Sequence, residues 1–179
     1  MIYGILIDSL VSRVHGNSVI VTDSTVNYVD LLTPIDENGN EKTTKTCPLL
    51  GFKYIYPTFW KLIDTLELCE SYSALNKKKY HFNPKKINCS TKLIQISSDS
   101  LKRIFSLPIK NHWEYFRNMF PKSNGTFMIS RVAFNYKMTQ AVVYTEQMED
   151  YLNGEGADYL LLKVKGKWEI QCRLRRWAS

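Results

Sequence analysis

The chain reads as an α+β domain, with helices packed on one face of a mainly antiparallel sheet that ends in a four-stranded meander. Three observations lead there. Residues 125–179 contain four β-rich runs separated by turn signals. The residues before them carry helical apolar periodicity and are available to cover one sheet face. At 179 residues, with 44% hydrophobic and 13% aromatic residues, the chain can bury one core without staples. A curved antiparallel sheet under helices is cone-like or cystatin-like, an analogy of fold alone.

From the N-terminus, Ile2 to Val14 has a helical stripe and stops at Gly16-Asn17. Ser18 to Thr25 reads as a strand and turn, expected at the edge of the C-terminal sheet. Residues 30–50 have no periodicity and read as a surface loop. Pro57 to Asn76 reads as the longest helix, with Phe59, Leu62, Ile63, Leu66, Cys69 and Tyr72 as its core stripe. Thr91–Ile96 is a short strand. Ser97-Ser98-Asp99 caps a brief helix to Phe105. Asn111–Phe120 forms another helix, stopped by Pro121, with Trp113, Phe116 and Phe120 on its apolar face.

The first C-terminal run, 126–135, places Met128, Val132 and Phe134 on one face and Phe127, Ile129 and Arg131 on the other. The second is 139–145. A polar loop, 146–157, leads to the third run, 158–164, and Lys165-Gly166-Lys167 turns the chain. In the fourth, Trp168, Ile170, Cys172 and Leu174 alternate with outward Glu169, Gln171, Arg173 and Arg175. Trp177 breaks that parity, which predicts a bulge near Arg175-Arg176.

Composition excludes some classes. No apolar run is long enough for a transmembrane helix. Met1 to Val11 lacks the basic segment of a signal peptide and carries Asp8, although a precursor could have lost one. Location is therefore left between cytoplasmic and exported. Cys47, Cys69, Cys89 and Cys172 form no C-x-x-C pair and read as buried thiols, with one or two disulfides the alternative in an exported protein. The net charge of +7 is uneven: −4 over 1–75, +8 over 76–112 and +3 over 113–179. Lys77, Lys78 and Lys79 precede Tyr80, His81 and Phe82, a mixture that single-stranded nucleic acid sites use. A solvated helix end explains the same run, so nucleic acid binding is expected to be at most weak and non-specific.

Several C-terminal motifs carry a resemblance. These are Trp113 through Gly125, Ser130-Arg131-Val132-Ala133-Phe134-Asn135, Thr139-Gln140-Ala141-Val142-Val143-Tyr144, Gly166-Lys167-Trp168 and Trp177-Ala178-Ser179. Together they resemble a group of uncharacterised Bacteroidetes-type bacterial proteins with an S-R-V-G-F-N, A-L-V-Y and G-K-W pattern. Ala133 stands where that pattern has Gly. The resemblance implies no activity, and export of many members keeps an envelope location open.

No catalytic, nucleotide-binding or metal-ligating pattern occurs, and no cofactor is expected. His15, His81 and His112 read as structural or solvated. Asp150, Glu155 and Asp158 read as a solvated acidic turn, with a cation site the sharper alternative. Arg131, between apolar neighbours, needs a partner: a structural carboxylate or an anionic ligand. The main expectation is a non-enzymatic module that binds another protein, such as a toxin-neutralising immunity protein. The alternative is a small enzyme or ligand carrier with a helix–sheet pocket lined by Arg131, His112 or Tyr144. Trp113, Phe116, Phe134 and Trp168 filling the interior would defeat that alternative. Lys77, Lys78, Lys79, Arg173 and Arg175 complete the candidate contact residues.

Overall fold

The structure is a computed structural model describing residues 1–11, 18–26 and 49–179. Its strands are β1 (Ser18–Thr22), β2 (Lys92–Ile96), β3 (Ser123–Ile129), β4 (Ala133–Phe134), β5 (Gln140–Asp150), β6 (Asn153–Val164) and β7 (Lys167–Ala178). They form one seven-stranded sheet in the order β2-β1-β3-β5-β6-β7, with β4 also paired to β5. The helices are α1 (Ile2–Val11), α2 (Leu50–Ile55), α3 (Pro57–Trp60), α4 (Thr65–Leu75), α5 (Ser98–Phe105) and α6 (His112–Met119). The expected loop at 30–50 falls almost wholly outside the described residues.

The sheet is mixed, which overturns the expected mainly antiparallel, cystatin-like architecture. β1 runs parallel to both β2 and β3. Parallel neighbours need a long crossover, and α2 to α4 separate β1 from β2 while α5 and α6 separate β2 from β3. β1 is also interior rather than at the edge. All five of its residues are buried, as a strand covered on both faces requires. The edge belongs to β2, where Lys92 and Gln95 are exposed and only Ile96 is buried.

The C-terminal meander exists, but as one part of this sheet. β5 and β6 pair from Gln140↔Leu162 to Asp150↔Asn153, so the expected loop over 146–157 is mostly strand. The turn is only Tyr151-Leu152. The β6–β7 turn is Lys165-Gly166, with φ of 47° and 82°. Both are positive, as a two-residue type I′ hairpin demands.

Each sheet face has its own cover. Ile2, Leu6, Ile7 and Leu10 of α1 pack on Val21, Ile129, Val143 and Tyr159. Val142, Tyr144 and Leu160 point to the opposite face, where Phe52 of α2 and Leu68 and Tyr72 of α4 meet them. At the β1 end of that second face, Leu101 and Ile104 of α5 and Trp113 and Phe116 of α6 pack on Ile20 and Ile96. Helices thus occupy both faces. No helix among the described residues is long and apolar enough to cross a membrane.

Bulges rearrange the expected parities. The run 126–135 is broken: Ile129 pairs with Thr145 but Ala133 with Val142, leaving Ser130-Arg131-Val132 opposite Val143-Tyr144. Val132 and Phe134 therefore join the face of Ile129, and Ala133 takes the other. A bulge at Gln171 sends Trp168 and Ile170 to the α1 face and Cys172 and Leu174 to the opposite one. The bulge expected near Arg175-Arg176 is present, since Gly156 pairs with Trp177 and Ala157 with Arg175.

The expected helix 57–76 is two helices. Between α3 and α4, Gln140 holds the break: its Oε1 accepts from Asp64 N–H (2.8 Å) and its Nε2 donates to the Leu62 carbonyl (2.8 Å). The core stripe changes accordingly. Ile63, Leu68 and Tyr72 are buried, whereas Leu62 and Leu66 are exposed. Cys69 is disulfide-bonded, contrary to the reading of all four cysteines as thiols, while Cys89 and Cys172 are free.

Asp8 ties α1 to the strand-edge segment before β2. Its carboxylate accepts from the N–H groups of Ser90 (2.9 Å) and Thr91 (3.0 Å) and from both hydroxyls. Desolvation works to raise its pKa, but these hydrogen bonds outweigh it and hold the carboxyl below its ordinary value. A depressed folded-state pKa contributes stability above the unfolded value, near pH 3.9, which is lost as pH falls through the folded value. Urea unfolding of wild type and Asp8→Asn should therefore differ at pH 6 and converge toward pH 3. A constant difference across that range would remove the ionised Asp8 from the account.

Candidate functional site

The sequence-predicted site residues do not converge. Arg131 lies in the β3–β4 break, clamped through its backbone by Asn76: Asn76 Oδ1 accepts from Arg131 N–H (2.8 Å) and Nδ2 donates to its carbonyl (3.2 Å). Its guanidinium sits over the Tyr80 ring, 4.8 Å from the centroid. Among the described residues its partner is this aromatic face, where a carboxylate or an anionic ligand was expected. His112 is fixed at the start of α6. The Leu107 carbonyl can only accept, so Nε2 donates to it (2.8 Å), and Nδ1 takes the Tyr151 hydroxyl proton (2.8 Å). Both ring nitrogens are therefore engaged by residues of the fold.

Arg173 donates to the Tyr159 hydroxyl (3.0 Å) and pairs with Glu155. Arg175 is exposed. The acidic trio becomes three separate ion pairs, Asp150–Arg117, Glu155–Arg173 and Asp158–Arg176. This overturns the solvated turn, and no metal-holding cluster occurs among the described residues. His81 bridges to Ser24, and His15 lies outside the described residues.

Tyr144 is fully buried. Its hydroxyl accepts from Trp177 Nε1 (2.8 Å) and lies 3.4 Å from Glu146 Oε2. Desolvation and the Glu146 charge raise the phenol far above its usual range, and desolvation also raises the Glu146 carboxyl. Gly156 makes the contact possible, because a Cβ there would stand 2.1 Å from Trp177 Nε1 and 2.2 Å from the Tyr144 oxygen. Tyr144 is thus packed inside the sheet and is not a pocket wall.

The pocket expected to be lined by Arg131, His112 or Tyr144 is not seen at those residues among the described ones. Trp113 and Phe116 are buried, and Phe134 packs against Trp168 with the rings tilted by 55° and their centroids 5.5 Å apart. A cavity of about 340 Å³ does occur, between the β1–β3–β5 region and α5–α6. None of those three residues lines it. Of the lysine trio, only Lys79 reaches it. The segment after Lys79 is pinned by Tyr80 N–H to Thr25 Oγ1 (2.9 Å), Thr25 N–H to the Tyr80 carbonyl (2.9 Å) and Phe82 N–H to the Asp23 carbonyl (2.9 Å).

A second feature went unread in the sequence. The α3–α4 turn and the β4–β5 loop are tied together: besides the Gln140 bonds, Asn135 Nδ2 donates to Asp64 Oδ2 (2.6 Å) and Tyr136 N–H to Glu67 Oε2 (3.0 Å). The β6–β7 hairpin joins them through Lys163 N–H to the Thr139 carbonyl (2.8 Å). This held frame exposes Leu62 by 67%, Leu66 by 71%, Tyr136 by 83% and Met138 by 50%. Lys61, Lys137, Lys163, Lys165 and Lys167 are exposed on the same three segments. Asp64 and Glu67, the acids of the turn, are both engaged by the loop. The run Asp64-Thr65-Leu66-Glu67 has the residue pattern of a helix start, although the Asp64 carboxylate makes no cap hydrogen bond and accepts from Asn135 instead.

Comparison of the chain with protein-family models, curated proteins and solved structures finds no match.

Proposed function

We propose that this chain is a non-enzymatic binding protein whose partner is another protein, docked on the exposed apolar end. The observation that carries the reading is the cluster of Leu62, Leu66, Tyr136 and Met138, presented on a hydrogen-bonded frame. Isolated exposed apolar residues are ordinary on any protein. Several on one ordered surface mark an interaction site. An apolar centre with a polar rim and a tyrosine anchor is the anatomy of a protein interface.

The charges on these segments bear on the partner's chemistry. Five exposed lysines lie on the same three segments as the apolar residues, and the two acids of the turn are occupied. The complementary surface is apolar at its centre and rimmed by Asp and Glu. A toxin neutralised by this chain would have to present such a face.

A photo-crosslinking residue placed at Tyr136 tests the reading in cells of the native host, with the exposed Tyr115 of α6 as the control position. A discrete heterologous adduct is expected at 136 and not at 115, and Leu62→Ser/Leu66→Ser should abolish it. Mass spectrometry of the adduct should identify an acidic protein. No adduct, equal adducts at both positions, or an adduct of two copies of this chain would each overturn the proposal.

A further inference from the structure

We infer that the cavity between the sheet and α5–α6 is a binding site for a small apolar monoanion, a carboxylate on an aliphatic or aromatic body. This site is separate from the docking surface and does not depend on it. The walls supply the apolar half. Leu101 and Phe105 come from α5, Trp113 from α6, Met128 from β3 and Met148 from β5. Two methionines and two aromatic rings adapt to a body of variable shape.

Cations supply the other half. Lys79 and Lys102 line the cavity, and no Asp or Glu does among the described residues. Both ammonium-bearing residues are otherwise exposed, so their long stems can follow the apolar wall while the charge stays near water. Asp23, which stands between lining residues in the sequence, is not itself on the lining. It is turned to the first turn of α5, where its Oδ1 accepts from Ser98 N–H (3.1 Å) and faces the Ser98 hydroxyl (3.5 Å). The hydroxyls of Ser24 and Ser98, which touch each other, and of Tyr151 give further polar points on the lining.

Position supports the assignment. β1 and β2 are parallel, and the cavity residues Thr22, Ser24, Thr25, Val26 and Ser98 lie at or just beyond their carboxyl ends. Crevices outside the carboxyl ends of parallel strands are where ligands of α/β sheets bind. A volume of about 340 Å³ lies within the usual range for small-molecule sites. At about 30 Å³ per water-sized group, it holds a ligand of roughly ten heavy atoms.

Calorimetric titration with octanoate, 1-octanol and octylammonium tests this. Octanoate is expected to bind one per chain, octanol about five-fold or more weakly for lack of the ion pairs, and octylammonium not at all. Lys79→Gln/Lys102→Gln alters only exposed side chains and should reduce octanoate to the level of octanol. Met128→Trp, which fills the cavity from a half-buried position, should lower binding of both. The proposal is overturned by equal binding of the three probes, by octanoate binding that Met128→Trp leaves unchanged, or by no saturable binding at millimolar octanoate.

Discussion

Gly125→Ala is expected to destabilise the protein by about 3–5 kcal/mol, enough to unfold a domain of ordinary stability at moderate temperature. Gly125, the third residue of β3, has φ of +93°, a region that costs a residue with a Cβ about 1–3 kcal/mol. A Cβ there would also stand 2.1 Å from the Met148 carbonyl oxygen and 2.9 Å from Glu149 Cα. Those are backbone atoms of the partner strand and cannot swing aside as a side chain would. Overpacking adds about 1–3 kcal/mol. The loss should appear in urea unfolding as a lower midpoint with an unchanged slope. A midpoint equal to wild type would mean that β3 does not approach β5 in this way.

Asn76→Ala is expected to cost about 2–4 kcal/mol through loss of the hydrogen bonds and the space it leaves. Asn76 is fully buried at the end of α4. It donates to the Tyr72 carbonyl (3.0 Å) as well as clamping the backbone of Arg131. Removing it leaves the Arg131 N–H, in the β3–β4 break, without this acceptor. Asn76→Asp keeps the acceptor but places a carboxylate against two carbonyls, so it should not rescue. Rescue by Asp to wild-type stability would contradict the assigned donor and acceptor roles.

Much of the secondary structure was legible because it rests on local chemistry. Ser97 and Asn111 accept from the N–H groups of Ser100 (3.0 Å) and Glu114 (3.0 Å) as helix caps, and Lys165-Gly166 turns where a glycine permits it. Strand pairing was less legible. β1 and β2 have five residues each, and nothing local in such short runs states which neighbour they choose or in which direction. Bulges were visible only where a large residue broke parity, as Trp177 did. Gln171 and Ser130 carry no such mark. At the latter, the Ser130 hydroxyl accepts from Tyr144 N–H (2.9 Å) in the middle of the break.

Half of the exposed apolar end, Leu62 and Leu66, is hidden in the sequence by the helical period. A continuous helix over Pro57 to Asn76 puts Leu62 and Leu66 on the stripe of Ile63 and Tyr72. The break at Lys61–Asp64 changes their direction, and it is stabilised by Gln140, distant in sequence. Arg131 and His112 looked functional because polar groups among apolar neighbours need partners. Their partners, the Tyr80 ring for one and Leu107 and Tyr151 for the other, lie in loops that periodicity does not place.

The apolar end is spare to the fold if it is kept for a partner. Thermal unfolding of Leu62→Ser/Leu66→Ser/Tyr136→Ser/Met138→Ser measures this directly. Exposed substitutions outside special features change stability within about ±0.5 kcal/mol each. At about 2–4 °C per kcal/mol for a chain of this size, the variant's Tm should stay within a few degrees of wild type, as should that of the Leu62→Ser/Leu66→Ser pair expected to abolish the crosslink from position 136. A fall in Tm of more than about 10 °C, beyond what such exposed changes produce, would show that these side chains hold the fold together and are not a surface reserved for another protein.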